Sequence, residues 1–131
     1  MNDTPTEPAA LPVLSPADIM DRLARDLPHW QLVEGALQRR YRTAGWKGSL
    51  MLANTIGHLA EVAWHHPDLL LSYPQVVVRL STHDAGGVTE RDFALARQIE
   101  AVIGWRPADE PGGWLEGTPA GNAAAAYIVR D

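Results

Sequence analysis

The sequence contains no cysteine among its 131 residues. Disulfides, thiolate ligands and thiol nucleophiles are therefore excluded, which fits a reducing compartment such as the cytoplasm. No apolar run approaches the ~20 residues of a membrane-spanning helix, and the N-terminus lacks the basic and apolar regions of a secretory signal. The formal net charge of −5 is opposite in sign to what binding of a phosphate backbone requires. We therefore expect a cytoplasmic protein that binds neither membrane nor nucleic acid.

The length and composition of the chain predict one folded domain with an irregular segment at each end. An apolar fraction of 46% over 131 residues is ordinary for a globular domain with one core. Residues 1–14 carry three prolines among small residues and are predicted to be disordered. Residues 15–104 are predicted to form the domain. Residues 105–131, rich in proline, glycine and alanine, are predicted to form a C-terminal extension that a short strand at Ala126–Val129 could close.

Three helices are predicted from capping residues and hydrophobic periodicity. Ser15 and Thr89 have the residue type of helix N-caps, and Asp92, three positions after Thr89, completes a variant of the capping box. The middle helix is predicted over Trp46–His65 and should end near Pro67, because proline disfavours helix at the preceding residue. Its inner face is predicted to consist of Leu50, Ala53, Ile56, Leu59, Ala60 and Ala63.

Four strands are predicted, the first two from the turn at Glu34-Gly35 and the last two from apolar, β-branched runs joined near Tyr73-Pro74. They form two hairpins, Trp30–Val33 with Leu37–Thr43 and Leu69–Tyr73 with Val76–Thr82. The resulting order is α-β-β-α-β-β-α. It predicts an α+β fold, in which an antiparallel four-stranded sheet carries helices packed on one face.

Histidines at the predicted ends of elements are the features that point to chemistry. The pair His65-His66, followed by Pro67, ends the middle helix, and His83 follows the last strand. Imidazole can give and take protons near neutral pH, so three such groups predict a proton-transfer pocket. Glu61 lies four residues before His65, and side chains with this spacing can face each other on a helix.

Two other interpretations of these histidines stay open on the residues alone. A histidine pair at a helix C-terminus can simply stabilise the helix end through its dipole. Glu61, His65, His83 and Asp84 could instead hold a metal ion, although adjacent side chains on a helix diverge by ~100° and rarely share an ion. We expect neither a metal nor another cofactor, and we expect Asp92 to cap its helix rather than to catalyse.

The spacing of these residues resembles the signature of the pterin-4a-carbinolamine dehydratases, also called 4a-hydroxytetrahydrobiopterin dehydratases. The matching residues, in chain order, are Glu61, His65-His66-Pro67, Tyr73, His83 and Asp92. The resemblance covers roughly residues 15–104. It implies the same order of helices and strands, and it implies a homodimer or homotetramer.

The resemblance also implies a hydro-lyase reaction and a set of site residues. The substrate would be a 4a-hydroxytetrahydropterin, which loses water to give a quinonoid dihydropterin during pterin recycling. The implied catalytic residues are His65, His66 and His83. Because a Glu61 carboxylate facing His65 would favour its charged form, we expect His65 to be tuned or binding and His66 or His83 to be the working acid and base. Trp64, Ser81, Thr82 and Asp84 match substrate-contacting segments together with these histidines, and Glu61 and Asp92 are supporting residues.

A non-catalytic protein on the same fold is the alternative function. The chain is also similar to the pterin-dehydratase-like RuBisCO assembly factors of α-carboxysomes, which would bind RuBisCO as chaperones. The intact set of histidines favours the enzyme, whereas Trp64 and the long extension keep the assembly role open. Neighbouring genes would discriminate, because a phenylalanine hydroxylase gene supports the enzyme and carboxysome genes support the chaperone.

Overall fold

Seven helices and strands follow one another in the predicted order α-β-β-α-β-β-α. A computed structural model describes residues 11–122 and 125–130. The elements are α1 (Pro16–Asp26), β1 (Gln31–Val33), β2 (Ala36–Arg42), α2 (Trp46–Ala63), β3 (Asp68–Ser72), β4 (Gln75–Leu80) and α3 (Glu90–Ile103). Short 3₁₀ turns at His83–Ala85 and Pro107–Asp109 follow β4 and α3.

The four strands form one antiparallel sheet in the order β1-β2-β4-β3. Successive side chains of a strand point to opposite faces, so Leu37 and Tyr41 are buried while Arg40 and Arg42 are exposed. The buried face packs against side chains of all three helices, namely Ile19, Leu23, Leu52, Ile56, Phe93 and Ile99. The predicted α+β fold with helices on one face of the sheet is confirmed.

Capping residues fix the starts of α1 and α3 as the sequence predicts. The Ser15 hydroxyl accepts a hydrogen bond from the Asp18 amide at 3.2 Å. At α3 the Thr89 hydroxyl accepts from the Arg91 amide at 3.2 Å, and Asp92 accepts from the Thr89 amide at 2.8 Å. These bonds satisfy amides that have no partner inside the helix, so local sequence alone sets where each helix begins.

The middle helix differs from the prediction in its end and in its inner face. It ends at Ala63, two residues before the predicted end, because Trp64 adopts a left-handed backbone conformation. Its most buried positions are Ser49, Leu52, Ile56 and Ala60, whereas Leu50 and Ala63 of the predicted stripe are exposed. Apolar residues surround much of α2, so periodicity alone did not identify the face that packs on the sheet.

A part-buried carboxylate joins α3 to the sheet. One oxygen of Glu100 accepts hydrogen bonds from the Trp30 indole at 2.9 Å and from Arg39 Nε and the Tyr41 hydroxyl at 2.7 Å each. Burial and the neighbouring Glu100 carboxylate raise the pKa of the Tyr41 hydroxyl. Tyr41 therefore stays a neutral donor, and the cluster ties the C-terminal half of α3 to β1 and β2.

The C-terminal extension returns to the sheet beside β2. The Ala44 amide donates to the Tyr127 carbonyl at 2.8 Å, and the Val129 amide donates to the Arg42 carbonyl at 2.9 Å. Tyr127 lies directly over Gly48 of α2, where an added Cβ would come within 3.0 Å of the tyrosine Cβ. The short strand predicted at Ala126–Val129 is thus a single bridge between Thr43 and Ile128.

The N-terminal segment lies mostly outside the described residues. Residues 1–10 of the predicted disordered segment 1–14 belong to the part that the structure does not describe. Leu14, at the end of that segment, donates its amide to Val88 at 2.9 Å and packs against the core. Within the described ranges, no helix is long and apolar enough to cross a membrane.

Candidate active site

The end of α2 places the histidine pair. The His65 amide donates to the Ala60 carbonyl at 3.1 Å, and the Trp64 amide donates to the Glu61 carbonyl at 3.2 Å. These two bonds form a Schellman motif, in which the reversing residue is usually glycine. Here Trp64 takes that position with φ 53° and ψ 46°. The left-handed residue turns the chain away from the helix axis, so His65 and His66 leave α2 in new directions.

His65 reaches across to the start of α3. Its Nε2 atom lies 2.6 Å from Oδ1 of Asp92, and the His65 side chain is only 14% exposed. Asp92 is completely buried. A buried carboxylate needs hydrogen-bond donors around it, and His65 supplies one of them. The two signature residues, 27 positions apart in the chain, are therefore direct partners.

Asp92 binds two further donors through its second oxygen. Its Oδ2 atom accepts from the Thr89 amide and from the Thr82 hydroxyl, both at 2.8 Å. The Thr82 and Thr89 hydroxyl oxygens lie 2.7 Å apart. The cap of α3, the end of β4 and the end of α2 thus meet at one buried carboxylate.

His66 pairs with a different carboxylate. Its Nε2 atom lies 2.6 Å from Oε1 of Glu61, and both side chains are largely exposed. The expectation that Glu61 would face His65 is wrong, because the helix ends between them and Trp64 redirects His65 toward Asp92. The ring of Trp64 packs edge-on against the ring of His66, with centroids 5.0 Å apart.

The third histidine lies in the turn after β4. His83 and Asp84 are exposed on the 3₁₀ turn, Ser81 is half-buried and Thr82 is buried. The Thr82 amide donates to Gly87 at 2.9 Å and its carbonyl accepts from Ala85 at 3.1 Å, which closes the turn. The backbone of His83 therefore follows a residue that is anchored to Asp92, while its imidazole is open to solvent.

A cavity of about 570 Å³ opens beside His65 between the end of α2 and the outer face of α3. Its walls are mostly apolar and are formed by Leu59, Val62, Ala63, Trp64, His65, Arg91, Ala94, Leu95 and Gln98. His66 and His83 do not line it, but Trp64 does, and the Trp64 ring also contacts His66. The indole therefore separates the cavity from the His66–Glu61 pair.

Thr89 belongs to the hydrogen-bond network around Asp92, a role that the sequence did not indicate. It was predicted only as a helix cap, yet its hydroxyl also contacts Thr82, which binds Asp92. The cavity residues on α3 were not among the predicted site residues. Their positions, 91, 94, 95 and 98, have the i, i+3, i+4, i+7 spacing of one helix face that begins at Arg91, next to Asp92, and this spacing is a signal that could have grouped them.

The arrangement can move protons in both directions. Imidazole is a donor or an acceptor according to its charge and tautomer, whereas an ionised carboxylate only accepts. Three imidazoles at the ends of α2 and β4, two of them held by carboxylates at Nε2, can supply proton donors and proton acceptors. The geometry thus suits a reaction that needs a paired acid and base.

Comparison with known proteins identifies the family of this chain. A family model described as pterin 4 alpha carbinolamine dehydratase matches residues 12–102. A protein of Aquifex aeolicus, provisionally named as such a dehydratase, is 42% identical over 82 residues, which are 63% of this chain and 83% of the relative. A relative of the same provisional name from Chloroflexus aurantiacus is 42% identical over 94 residues, which are 72% of this chain and 100% of the relative.

A solved structure shares the fold. It is the crystal structure of a transcriptional coactivator/pterin dehydratase from Brucella melitensis, with a TM-score of 0.63 and 30% sequence identity. The match covers 70% of this chain and 98% of that protein. The whole C-terminal extension, residues 105–131, lies outside the matched family model, which ends at residue 102. The chain belongs to the pterin 4 alpha carbinolamine dehydratase family.

Proposed function

We propose that this protein dehydrates a 4a-hydroxytetrahydropterin to the quinonoid dihydropterin, by acid–base catalysis with histidines, in pterin recycling. The observation that carries the proposal is the pairing of His65 and His66 with two separate carboxylates, with His83 exposed on the turn that follows Thr82, a partner of Asp92. Membership of the family supplies the substrate class. His65, His66 and His83 are the proposed catalytic residues.

The reaction needs two proton transfers and no change in oxidation state. One imidazole, as its cation, gives a proton to the C4a hydroxyl, and the C4a–O bond breaks to release water. A second imidazole, in its neutral form, takes the proton from N5, and the N5 electron pair forms the double bond to C4a. Both forms of imidazole are populated near neutral pH, so histidines alone can balance the reaction.

Trp64 is proposed as an aromatic wall for the pterin ring. Its indole is 76% exposed, lines the cavity and contacts His66, so a flat heterocycle lying against it would be close to an imidazole. Stacked or edge-on aromatic pairs add ~0.5–1.5 kcal/mol beyond burial. Ser81, Thr82 and Asp84 are proposed to contribute through the turn that presents His83.

Replacement of the two exposed motif histidines tests the proposal. His66→Ala and His83→Ala are each expected to slow dehydration of a 4a-hydroxytetrahydropterin, measured by stopped-flow absorbance. General acid–base groups contribute ~10²–10⁴-fold, and the low end is expected because this substrate also loses water unaided. Melting temperatures should change little. Added chelator should leave the wild-type rate unchanged.

His58→Ala is the matched control, because His58 is an exposed histidine of α2 outside the signature. Its dehydration rate should equal that of the wild type. Wild-type rates in both motif variants would contradict the assignment of catalytic histidines. A folded wild-type protein that does not accelerate dehydration would contradict the proposed function and would favour the non-catalytic alternative.

A further inference from the structure

A continuous hydrogen-bond chain runs from the first turn of α3 to His65. It passes from the Arg91 amide to the Thr89 hydroxyl, then through Thr82 and Asp92 to His65. The side chains of Thr82, Thr89 and Asp92 are all buried. The donor is fixed in the bonds from the Arg91 amide and from the Thr82 hydroxyl, and these two bonds decide the direction of the other two links.

Backbone amides fix the direction of the chain, because an N–H group can only donate. The Thr89 amide donates to Asp92 Oδ2, and the Thr82 hydroxyl donates to the same oxygen. The Thr82 hydroxyl has one proton, and the bond to Asp92 takes it. In the contact between the two threonine hydroxyls, Thr89 must therefore be the donor. Thr89 can do so because its oxygen accepts from the Arg91 amide at the other side.

The remaining oxygen of Asp92 determines the tautomer of His65. An ionised carboxylate only accepts hydrogen bonds, so the 2.6 Å contact at Oδ1 requires a proton on His65 Nε2. Neutral His65 then carries its lone pair on Nδ1. Nδ1 has no hydrogen-bond partner within residues 11–122 and 125–130. Because no buried side-chain nitrogen or oxygen of that part of the chain lacks a partner, Nδ1 is not fully buried.

We propose that Asp92 is a positioning residue that holds His65 as the Nε2–H tautomer, so that Nδ1 is a proton acceptor of the site. The role of Nδ1 as a proton acceptor rests on the proposed dehydration, whereas the assignment of the Nε2–H tautomer does not. A carboxylate behind a histidine commonly fixes the orientation and tautomer of a catalytic imidazole. Here the same carboxylate also caps α3, so one residue couples the helix start to the histidine.

Asp92→Asn gives a specific test because an amide has one acceptor and one donor end. The Thr89 amide cannot change from donor to acceptor, so the Asn oxygen must face Thr89 and Thr82. The Asn NH₂ group must then face His65 Nε2, which has to accept. The substitution is therefore expected to invert the His65 tautomer to Nδ1–H, while retaining the shape of the side chain.

The experiment measures imidazole ¹⁵N chemical shifts of histidine-labelled protein at about pH 8, where an ordinary imidazole is neutral. The His65 signals are assigned by their absence in His65→Gln. The wild type should show the Nε2–H pattern and Asp92→Asn the Nδ1–H pattern. The kcat for dehydration should fall in Asp92→Asn toward the low end of the ~10²–10⁴-fold range, as in the histidine variants, with little change in KM, because the acceptor and not the binding surface is lost.

Ser15→Ala is the matched control for stability, since it removes a helix cap at α1 and leaves the site untouched. It should lower the melting temperature but keep the His65 tautomer and the kcat. An Nδ1–H pattern in the wild type would overturn the inference even if Asp92→Asn did not fold. A retained Nε2–H pattern in the variant, or an inversion without loss of kcat, would also overturn it. A wild type without dehydratase activity would instead contradict the proposed function, and the ¹⁵N spectra would still decide the tautomer.

Discussion

Replacing Trp64 by glycine is expected to stabilise the fold while weakening the site. Trp64 holds φ 53° and ψ 46°, a left-handed conformation that costs a side chain with a Cβ ~1–2 kcal/mol. Glycine removes that cost, but it makes the unfolded chain freer by ~0.4–1 kcal/mol. The indole is 76% exposed, so its loss uncovers little buried surface. The net expected gain is roughly 0.5–1 kcal/mol in the free energy of unfolding.

Denaturant and thermal unfolding measure this change. For a chain of this length the gain corresponds to a rise of about 2–5 °C in melting temperature. Trp64→Ala is the control, because alanine also lacks the ring but keeps the left-handed cost, so its stability should stay at or slightly below that of the wild type. Melts at several protein concentrations separate folding from association, since a homo-oligomer is expected.

Steady-state kinetics test whether the loss of the Trp64 indole weakens substrate binding. Both variants should raise the KM for a 4a-hydroxytetrahydropterin and leave kcat nearly unchanged, because the indole transfers no proton. If Trp64→Gly were less stable than Trp64→Ala at every protein concentration, the left-handed conformation would not be the costly feature. Unchanged KM in both variants would refute the proposed role of Trp64 as a wall for the pterin ring.

Two further predictions concern the core and the extension. Burial and the Glu100 carboxylate raise the pKa of Tyr41 above 10.0, so the unfolded state loses this proton first as pH rises. The free energy of unfolding should then fall by ~1.4 kcal/mol per pH unit above about pH 10. Urea titrations should show that Tyr41→Phe removes this slope. An equal slope in the variant and the wild type would contradict the prediction. Gly48→Ala should lower the melting temperature, because its Cβ would lie 3.0 Å from Tyr127 Cβ. Gly57→Ala is the control, since its Cβ meets nothing within 4 Å and should stabilise α2 by ~1 kcal/mol. Equal shifts in the melting temperatures of the two variants would contradict the contact between Gly48 and Tyr127.

The order of elements could be predicted because the signals for it are local. Ser15 and Thr89 cap α1 and α3 through hydrogen bonds to amides two or three residues away, so nearby sequence determines them. The turn at Glu34-Gly35 marked the hairpin of β1 and β2 in the same way. Strand order and register involve distant residues, but an antiparallel sheet built from two hairpins leaves few alternatives.

The face and the end of α2 could not be predicted with the same success. Leu50 is 39% exposed while Leu52 is fully buried, and the apolar residues around the helix gave no reason to prefer one over the other. The end was placed two residues late because Pro67 restricts only the residue before it. A tryptophan in the reversing position of a Schellman motif has no clear sequence signal, since glycine usually occupies it.

The pairing of carboxylates with histidines depends on that unpredicted turn. Spacing along a continuous helix placed Glu61 opposite His65, but α2 stops at Ala63 and the next residue reverses the chain. Glu61 therefore binds His66, and His65 binds a carboxylate on α3. The signature thus identified the residues of the candidate site, whereas their partners required the tertiary structure.

Asp92 caps α3 and also binds a histidine of the candidate site. The sequence favoured the cap, because the position three residues after Thr89 explains an aspartate without any reference to chemistry. Capping uses only Oδ2, which faces the Thr89 amide, and leaves Oδ1 directed at His65. Since a helix start is rigid and the carboxylate is fully buried, the capping bonds hold Oδ1 in place. The same local rule that starts α3 therefore provides a fixed acceptor for the histidine at the end of α2.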